Sequence, residues 1–387
     1  MSTLRGIMEQ FFRQFEASYE ALNMIEISRS AFLHNFDLLK KKYKVEHIIP
    51  VLKSNAYGHG LENILNILDD REVPYVAVDG YNEALEVRAF GDVDVLVMAT
   101  ILPENFSKIE TKRTAYVIQD MSVLNVMTNI RRAIKIHLEF NTGLNRQGFE
   151  SSELKSIIPL LKDNPQIELD GVMTHLYDAS SSKRASIKAQ VEEFDKIVSR
   201  LKKAGLKPRY VHISKTAGID VKSQHVNTIR PGAGLYGINP FLTCGKEALI
   251  KKFADLRPVL SLKSSVVKIR NIEQGEGVGY GHAYVAKRSI KTAVIPLGYY
   301  EGLPVALAGE ATLSYKNQPL SIIGRIAMNH TILDVTSSNI KMWDKVEVIS
   351  RNPEAPNSLA SWWQDFGLYP LEVLSKLSPN IRRKISD

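Results

Sequence analysis

From about residue 24 to residue 257, short apolar runs alternate with stretches that repeat apolar residues at helical spacing. Eight of the apolar runs predict short buried strands, at His47–Leu52, Pro74–Val78, Asp94–Ala99, Ala115–Ile118, Ile134–Phe140, Glu168–Thr174, Tyr210–Ile213 and Val226–Ile229. Helical patterns separate most of these strands, at Leu61–Leu68, Asn82–Phe90, Ser122–Ile130, Leu154–Leu161 and Lys183–Ala204. Eight strands that alternate with helices over roughly 200 residues favour an α/β fold of the (β/α)8 type, a TIM-like barrel, over an open doubly wound sheet.

The segments on either side of this region have different patterns. After Arg257 the apolar runs are short, β-rich and separated by Gly, Pro, Asn and Asp, which predicts an all-β domain. Before Met24, apolar and aromatic residues recur at helical spacing with charged residues between them, namely Phe11, Phe12, Phe15, Tyr19 and Leu22. The sequence therefore predicts a helical N-terminal extension over residues 1–23, a barrel over residues 24–257 and a C-terminal all-β domain over residues 258–387.

Composition excludes several classes of protein. Of the 387 residues, 44% are apolar and 24% are charged, as in a globular protein with a large core. No apolar run approaches the roughly 18 residues of a membrane span. The net charge is +8, but the basic residues are scattered among 42 acidic ones, which favours small anionic ligands over nucleic acid. Cys244 is the only cysteine, which excludes internal disulfides and metal–thiolate clusters and fits a reducing cytoplasm.

Five candidate functional residues follow five of the predicted barrel strands. Lys53 follows the first strand and Arg146 the fifth, while His175, Thr216 and Arg230 follow the sixth, seventh and eighth. In a (β/α)8 barrel, active-site residues project from the carboxyl ends of the strands, which meet at one rim. This shared placement predicts that the five side chains lie together in one active site.

The loops after the seventh and eighth strands predict an anion site. They contain Ser-Lys-Thr-Ala-Gly from residue 214 and Arg-Pro-Gly-Ala-Gly from residue 230. These two loops form the usual phosphate site of the fold. Glycine allows backbone amides to approach an anion closely, and the hydroxyl of Thr216 supplies a further donor. The second loop also matches the G-x-G-x-x-G pattern of dinucleotide sites, but Pro240 follows closely and no helix is predicted there, so we reject that interpretation.

Lys53 ends a buried run and precedes a turn of small and polar residues. Its side chain either extends from the strand end into solvent, as a structural lysine does, or is an amine prepared for chemistry. Desolvation and neighbouring cations lower the pKa of a lysine, and the amine is then able to form a Schiff base and to carry a proton. Lys53 by itself leaves both interpretations open.

Several separated motifs resemble those of the alanine racemase family, whose members hold pyridoxal phosphate (PLP) on a barrel. In the barrel region these motifs are Lys53 to Gly60, Asn141-Thr142-Gly143-Leu144-Asn145-Arg146, Thr174-His175 and Arg230-Pro231-Gly232. In the β-rich region they are Gly279-Tyr280-Gly281, Gly298-Tyr299 and Gly324-Arg325-Ile326-Ala327-Met328-Asn329. The resemblance extends over residues 24 to 384.

The resemblance implies a role for each matching residue. Lys53 would bind the cofactor covalently and act as the base for the D-enantiomer, and Tyr280 would be the opposing base, for the L-enantiomer. Arg146 and Met328 would contact the substrate, and His175 would stack against the pyridine ring. The remaining matches would hold the cofactor phosphate, and they are Tyr57, Thr216, Gly232 and Ala233. The implied activity is the interconversion of L- and D-alanine.

Arg230 matches the position that faces the pyridine nitrogen. A guanidinium stays protonated, so it donates a hydrogen bond without giving the nitrogen its proton. The ring then withdraws electrons less fully than a pyridinium would, and the deprotonated substrate Cα is short-lived. That chemistry suits racemisation and disfavours transamination. The alternative is a structural arginine before a Pro-Gly turn.

Tyr280 lies in the predicted β-rich domain. By resemblance it reaches the active site of a second subunit, which implies a cytoplasmic homodimer with shared active sites that makes D-alanine for the cell wall. A tyrosine with an ordinary pKa of about 10 is a poor base near neutrality, so neighbours such as Arg230 and His175 would have to tune it. The alternative base is His282, two residues further on.

Several positions depart from the family pattern. Glu139 stands where many relatives have a lysine that becomes a carbamate, and its permanent negative charge is able to orient Arg146. Lys215 replaces a frequent asparagine, and Leu371 replaces the usual phosphate-binding tyrosine, for which Tyr369 is a candidate substitute. Other specificities therefore stay open, such as serine or a basic amino acid. Further alternatives are a PLP-dependent decarboxylase and a non-catalytic PLP carrier.

Overall fold

Strand β1 (Asn23–Ser28) and helix α1 (Arg29–Tyr43) come first in the computed structural model, which describes residues 19–179, 185–218 and 223–387. Eight barrel strands follow: β2 (His47–Ile48), β3 (Val76–Val78), β4 (Val95–Val97), β5 (Thr114–Ile118), β6 (Ile134–Glu139), β7 (Ile167–Met173), β8 (Tyr210–Ser214) and β9 (Thr228–Ile229). The helices of this region are α2 (Leu61–Leu68), α3 (Tyr81–Phe90), α4 (Met121–Met127), α5 (Leu154–Asp163), α6 (Ala185–Lys203) and α7 (Glu247–Lys252).

The eight strands form a parallel sheet that closes on itself. Its hydrogen-bonded order is β2-β9-β8-β7-β6-β5-β4-β3. A parallel bridge between Val51 and Ala77 joins the two ends, where Leu52 N donates to Ala77 O at 2.7 Å and Ala77 N donates to Pro50 O at 2.8 Å. The predicted TIM-like barrel is therefore confirmed, and each of its eight strands lies within or beside a predicted run.

Local chemistry and burial explain these elements. The Ser28 hydroxyl accepts a hydrogen bond from Ala31 N at 3.1 Å and so caps the start of α1. The strands Val76–Val78 and Val95–Val97 are fully buried, as apolar barrel strands are when helices cover their outer face. Burial of one such side chain stabilises the fold by roughly 1.5–3 kcal/mol.

The remaining strands are mostly antiparallel. They are β10 (Leu260–Ser265), β11 (Lys268–Ile272), β12 (Gly277–Val278), β13 (Tyr284–Val285), β14 (Ile290–Ile295), β15 (Thr312–Tyr315), β16 (Gln318–Ile323), β17 (Thr331–Asp334), β18 (Lys345–Ile349) and β19 (Arg382–Ser386). Nine strands form one sheet in the order β11-β14-β17-β16-β15-β18-β10-β1-β19, and β12 pairs with β13. The predicted single strand Leu260–Ile269 is two strands, because β10 pairs with β18 whereas β11 pairs with β14.

The chain divides into two compact units. The β-rich unit includes residues 19–26, Ser261–Ser350 and Leu377–Lys384, and the barrel unit comprises Ile27–Leu260, Arg351–Lys376 and Ile385–Asp387. The last two helices, α8 (Leu359–Phe366) and α9 (Pro370–Ser375), therefore belong to the barrel unit although the β-rich strands precede them. The domain boundaries drawn from the sequence stay predictions.

The helix predicted near the N-terminus falls largely on residues 1–18, outside the described residues. Within the described ranges, no helix combines the length and the apolar character that crossing a membrane requires.

Candidate active site

The carboxyl ends of the barrel strands surround a cavity of about 830 Å³. All residues predicted for the barrel part of the site lie in its wall, namely Lys53, Tyr57, Arg146, His175, Thr216, Arg230, Gly232 and Ala233. The structure therefore brings these residues together, although they come from five separate strand ends. Their individual roles stay predictions.

The turn that begins at Lys53 has a left-handed backbone conformation. Ser54, Asn55, Ala56 and Tyr57 all have φ values between 51° and 57°, in the left-handed region. That conformation costs roughly 1–2 kcal/mol for each residue with a Cβ. Strain of this kind persists only where the surrounding structure imposes it, and it is concentrated at functional sites. The sequence predicted a turn here, but it contained no signal for four consecutive left-handed residues.

Polar side chains hold this turn in place. The Glu83 carboxylate accepts hydrogen bonds from Ser54 N at 2.6 Å and from Asp79 N at 2.8 Å. Asn55 Oδ1 accepts one from Leu61 N at 2.8 Å. Lys53 Nζ donates to Asp79 Oδ1 at 3.1 Å. The amine is therefore held at the cavity wall by a carboxylate, a partner that the sequence reasoning did not anticipate.

The two predicted phosphate loops are joined to each other and to the Lys53 strand. Gly234 N donates to Thr216 Oγ1 at 3.0 Å, and Val51 N donates to Pro231 O at 2.9 Å. A Cβ on Gly232 would lie 2.6 Å from the Tyr57 hydroxyl oxygen, so only glycine permits this approach. Backbone amides and two hydroxyls thus meet at one end of the cavity, which is the donor set that a phosphate needs.

Tyr369 and Leu371 also line the cavity. Tyr369 precedes α9, and its ring lies 5.3 Å from that of Trp363. Burial first, and then the neighbouring Tyr369, raise the pKa of Tyr57 well above its ordinary value. Burial also raises the pKa of Tyr369, so both phenols are protonated at neutral pH.

His175 is a neutral imidazole. Burial, followed by the charges of surrounding cations, lowers its pKa to about 3. Those cations are Arg230, Lys215, Arg146 and Lys53. A neutral ring suits stacking against another aromatic ring, and the cluster of cations gives the cavity affinity for anions.

Arg230 is 4% exposed and is held by the barrel interior. Its Nη1 donates to His212 Nδ1 and, at 3.2 Å, to His212 O, and its Nη2 donates to Thr174 O at 3.1 Å. Burial lowers the pKa of Arg230 to about 10, a shift that Glu139 opposes. The guanidinium is therefore still charged at neutral pH.

Arg146 is an exposed residue of the cavity wall. Glu139, the residue expected to orient it, is 3% exposed and accepts a hydrogen bond from Gln147 Nε2 at 2.8 Å. Within the described ranges no ion pair joins Glu139 to Arg146, because the Gln147 side chain satisfies the carboxylate and Arg146 points into the cavity. Glu139 instead acts electrostatically on Arg230.

Tyr280 and Met328, the other two predicted site residues, lie in the β-rich unit. Tyr280 begins a 3-10 turn and is 73% exposed, and Met328 is 54% exposed. His282 follows Tyr280 but packs against the backbone of Gly277, where a Cβ would lie 2.2 Å from the His282 Cγ atom. Both side chains are exposed, and they differ in that the His282 ring lies against Gly277.

The cavity wall contains residues that sequence reasoning missed. Asp79 directly follows β3. The same criterion that identified Lys53, its place at the carboxyl end of a barrel strand, would therefore also have identified Asp79. Trp363 comes from α8, more than 100 residues after the last barrel strand in sequence, and no sequence signal indicated it. Asp178 follows His175 by three residues in the same loop.

A closed barrel with a lysine after its first strand, glycine loops after its last two strands and a cavity rich in cations defines a class, the barrel proteins that hold PLP. Comparisons with known proteins agree. The family described as "Alanine racemase, N-terminal domain" matches residues 27–240, and "Alanine racemase, C-terminal domain" matches residues 259–385. The chain belongs to the alanine racemase family.

Individual relatives cover most of the chain. An alanine racemase of Sorangium cellulosum (strain So ce56) is 31% identical over 324 residues, which is 80% of this chain and 83% of the relative. "Alanine racemase 1" of Caldanaerobacter subterraneus subsp. tengcongensis is 30% identical over 370 residues, which is 93% of each chain.

Solved structures share the fold. The alanine racemase of Clostridium difficile 630 is similar with a TM-score of 0.87 and 24% identity, over 95% of this chain and 97% of the other. The enzyme from Bartonella henselae, solved with covalently bound pyridoxal phosphate, has a TM-score of 0.81 and 23% identity, over 95% of this chain and all (100%) of the other.

Proposed function

We propose that this protein interconverts the L and D forms of a small amino acid, and of alanine in the first place, with PLP held at the rim of the barrel. The observation that carries this proposal is the convergence of Lys53, His175 and Arg230 on one cavity beside the two glycine loops. The names of the relatives support alanine as the substrate.

The cavity fits the cofactor at its phosphate end. Tyr57, Thr216 and the amides of Gly232 and Ala233 would hold the phosphate, because they meet where Gly232 lies so close to the Tyr57 hydroxyl that an added Cβ would be 2.6 Å from it. Tyr369 would supply the hydroxyl that Leu371 lacks. When bound, PLP supplies an electron sink that acidifies the Cα–H bond of the substrate.

Arg230 and His175 would set the electronic environment of the ring. Arg230 is fixed by His212 and Thr174 and would donate a hydrogen bond to the pyridine nitrogen while it retains its own proton. His175, whose lowered pKa keeps the imidazole neutral, would stack on the ring without adding charge. This arrangement limits the electron demand of the ring and so favours proton return over transamination.

Two bases would move the proton on opposite faces of the substrate carbon. Lys53 serves one face and Tyr280 the other, because one base reaches only one face. The exposure of Tyr280 supports this assignment, and His282, which is exposed as well, stays the alternative base. Arg146 would bind the substrate carboxylate, and Met328 would contact the substrate from the β-rich unit.

We further propose a homodimer in which Tyr280 and Met328 enter the site of the partner subunit. Both side chains are large, partly apolar and more than half exposed in the single chain, as interface residues are before assembly. A cytoplasmic location, with D-alanine made for the cell wall, completes the proposal and agrees with the single cysteine.

A racemase of broader specificity is a second candidate. Asp79 and Asp178 place two carboxylates in the cavity wall, and carboxylates are suitable partners for the cationic side chain of a basic amino acid.

The test is incubation of the full-length, PLP-loaded protein with single L-amino acids, followed by chiral separation of the products. The panel contains alanine, serine, lysine and arginine, each also supplied as the D form. We expect the highest kcat/KM for alanine in both directions. Lysine or arginine as the best substrate would favour the second candidate, and a folded, PLP-loaded protein that racemises none of the four would overturn both.

A further inference from the structure

A chain of buried polar contacts runs from Arg230 into the barrel interior. Arg230 Nη1 is hydrogen-bonded to His212 Nδ1, and His212 Nε2 lies 2.8 Å from His137 Nδ1. His137 Nε2 lies 3.7 Å from Asp170 Oδ2, which also accepts a hydrogen bond from the Tyr75 hydroxyl at 2.5 Å. The chain therefore connects a cation at the cavity with a carboxylate deep inside the barrel.

All members of this chain are shielded from solvent. Tyr75, His137 and His212 are at most 2% exposed, and Asp170 is 6% exposed. Burial lowers the pKa of both imidazoles, so both rings are neutral. Burial alone would raise the pKa of Asp170, but its contacts with His137 and Tyr75 outweigh that effect and hold the pKa below its ordinary value. The chain thus has a permanent charge at each end and two neutral rings between them.

The chemistry of the donors gives the chain one direction. A guanidinium only donates, so His212 Nδ1 has to accept and its proton lies on Nε2. That proton points to His137 Nδ1, which accepts in turn and leaves the second proton on His137 Nε2. This last N–H lies 3.7 Å from Asp170 Oδ2, which is an electrostatic contact too long for a hydrogen bond. Every proton in the chain therefore points from Arg230 toward the carboxylate.

A directional chain of this kind polarises its members. In a low-dielectric interior, the hydrogen bonds that join Arg230, His212 and His137 strengthen one another, and the negative charge of Asp170 acts on the His137 ring through space from 3.7 Å. The negative end draws positive charge away from the face of Arg230 that borders the cavity. The two rings also fix the guanidinium in position, since its rotation would break the bond to His212.

We infer that Asp170 and His137 are positioning residues for the proposed reaction, acting through His212 to hold Arg230 and to weaken the hydrogen bond that it donates toward the cofactor. The inference rests on the proposed function, because it assigns a consequence to that hydrogen bond. Loss of the carboxylate would leave Arg230 a stronger donor. The substrate Cα would then stay deprotonated longer, and transamination would become more frequent for each racemisation.

The direction of the chain is testable in the wild-type apoprotein. Nitrogen-15 NMR of labelled histidines reports which ring nitrogen carries the proton, and His137→Gln and His212→Gln assign the two rings among the nine histidines. We expect both rings to carry the proton on Nε2. A proton on Nδ1 of either ring, or a charged imidazole at neutral pH, would overturn the inference whatever the activity of the protein.

The effect on the cofactor is tested with Asp170→Asn, which keeps an acceptor oxygen and removes the charge. We expect the ratio of transamination to racemisation to rise roughly tenfold, as loss of an outer-shell partner does elsewhere. Absorbance of the aminated cofactor measures the first rate and chiral separation measures the second. An unchanged ratio in a folded variant would overturn the inference and leave the proposed function intact.

Two further variants distinguish an effect of the Asp170 charge from a non-specific effect of a substitution in the barrel. Tyr75→Phe removes the hydrogen bond to Asp170 but keeps the carboxylate, so we expect the ratio to stay within about twofold of the wild type. Asp94→Asn removes a carboxylate that pairs with Arg113 Nε at 2.8 Å in the same barrel but outside the chain. We expect no change in the ratio, and a tenfold rise in Asp94→Asn would show that the effect is not specific to Asp170.

Discussion

In the barrel unit the candidate residues Lys53, His175 and Arg230 line one cavity and are surrounded by their own chain, whereas Tyr280 and Met328 of the β-rich unit are more than half exposed. Arg230 makes three hydrogen bonds within the barrel, and Lys53 is paired with Asp79. The barrel therefore builds its part of the site alone.

The two units would supply different parts of the proposed reaction. Groups that bind and tune a cofactor need fixed geometry and low dielectric, which a closed barrel supplies. The proposed second base needs only an accessible phenol on a firm turn, and the β-rich unit presents one. On our proposal, dimerisation then completes a site that one chain leaves open.

Substitution of Lys53 tests the part of the site that the barrel unit supplies, and we expect it to cause the largest loss of activity. Lys53→Ala removes both the point of covalent attachment and one base, so we expect racemisation to fall roughly 10⁴-fold. Borohydride reduction followed by peptide mass mapping should find the pyridoxyl group on Lys53 in the wild type. Lys215→Ala is the matched control, since Lys215 lines the same cavity; we expect its label to stay on Lys53. A label on Lys215 in the wild type would refute the assignment.

Substitution of Tyr280 tests the β-rich half. Tyr280→Phe keeps the ring and deletes the proton carrier, so we expect racemisation to fall roughly 10³-fold in both directions while PLP stays bound. His282→Gln is the control, because its ring is packed on Gly277; we expect activity within a few-fold of the wild type. Full activity in Tyr280→Phe would eliminate the phenol as the second base.

Mixing inactive Lys53→Ala and Tyr280→Phe subunits shows whether the two halves come from different chains. If they do, a heterodimer contains one site with both bases, and activity returns. Subunit exchange verified by mass without any recovered activity would mean that each chain builds its site alone.

A smaller effect is expected where the barrel approaches the phosphate. Gly232→Ala would place a Cβ 2.6 Å from the Tyr57 hydroxyl oxygen. Such overpacking typically costs 1–3 kcal/mol, so we expect the Kd of the apoprotein for PLP to rise about tenfold. Gly80→Ala is the control, since its Cβ would have nothing within 4 Å. Equal affinities for the two variants would disprove the close approach.

The smallest effect concerns stability in acid. The pKa of His175 falls from an ordinary 6.5 to about 3 on folding. Between these values the unfolded chain binds a proton that the folded chain does not, so the free energy of unfolding decreases as pH falls. One such group contributes a slope of about 1.4 kcal/mol per pH unit. His175→Asn in the apoprotein should reduce the slope measured by urea unfolding by that amount. The exposed His330→Asn is the control, and identical slopes in both variants would contradict the burial of His175 as a neutral ring.

Much of the barrel was predictable because its signals are local. Buried strands such as Val76–Val78 are marked by unbroken apolar runs, and the strand-end rule then placed Lys53 and Arg230 at one rim without any knowledge of packing. The break between β10 and β11 was not predictable, because each half pairs with a strand far away in sequence.

The same limit applies to the site. The left-handed turn after Lys53 contains Ala56 and Tyr57, residues that do not favour that conformation by themselves. It is imposed in part by Glu83, from a different helix. The contact between Arg230 and His212 was not predictable either, because His212 lies in an apolar run typical of a buried strand.

The sequence by itself determined the order of the strands, the rim on which the candidate residues lie and the family to which they are similar, because periodicity and motif are properties of neighbouring residues. Only the tertiary structure decided that Asp79 pairs with Lys53, that Gln147 rather than Arg146 satisfies Glu139, and that buried contacts through His212 and His137 connect Arg230 with Asp170. These contacts join side chains from different strands and loops, and their energies depend on burial, which no short stretch of sequence specifies.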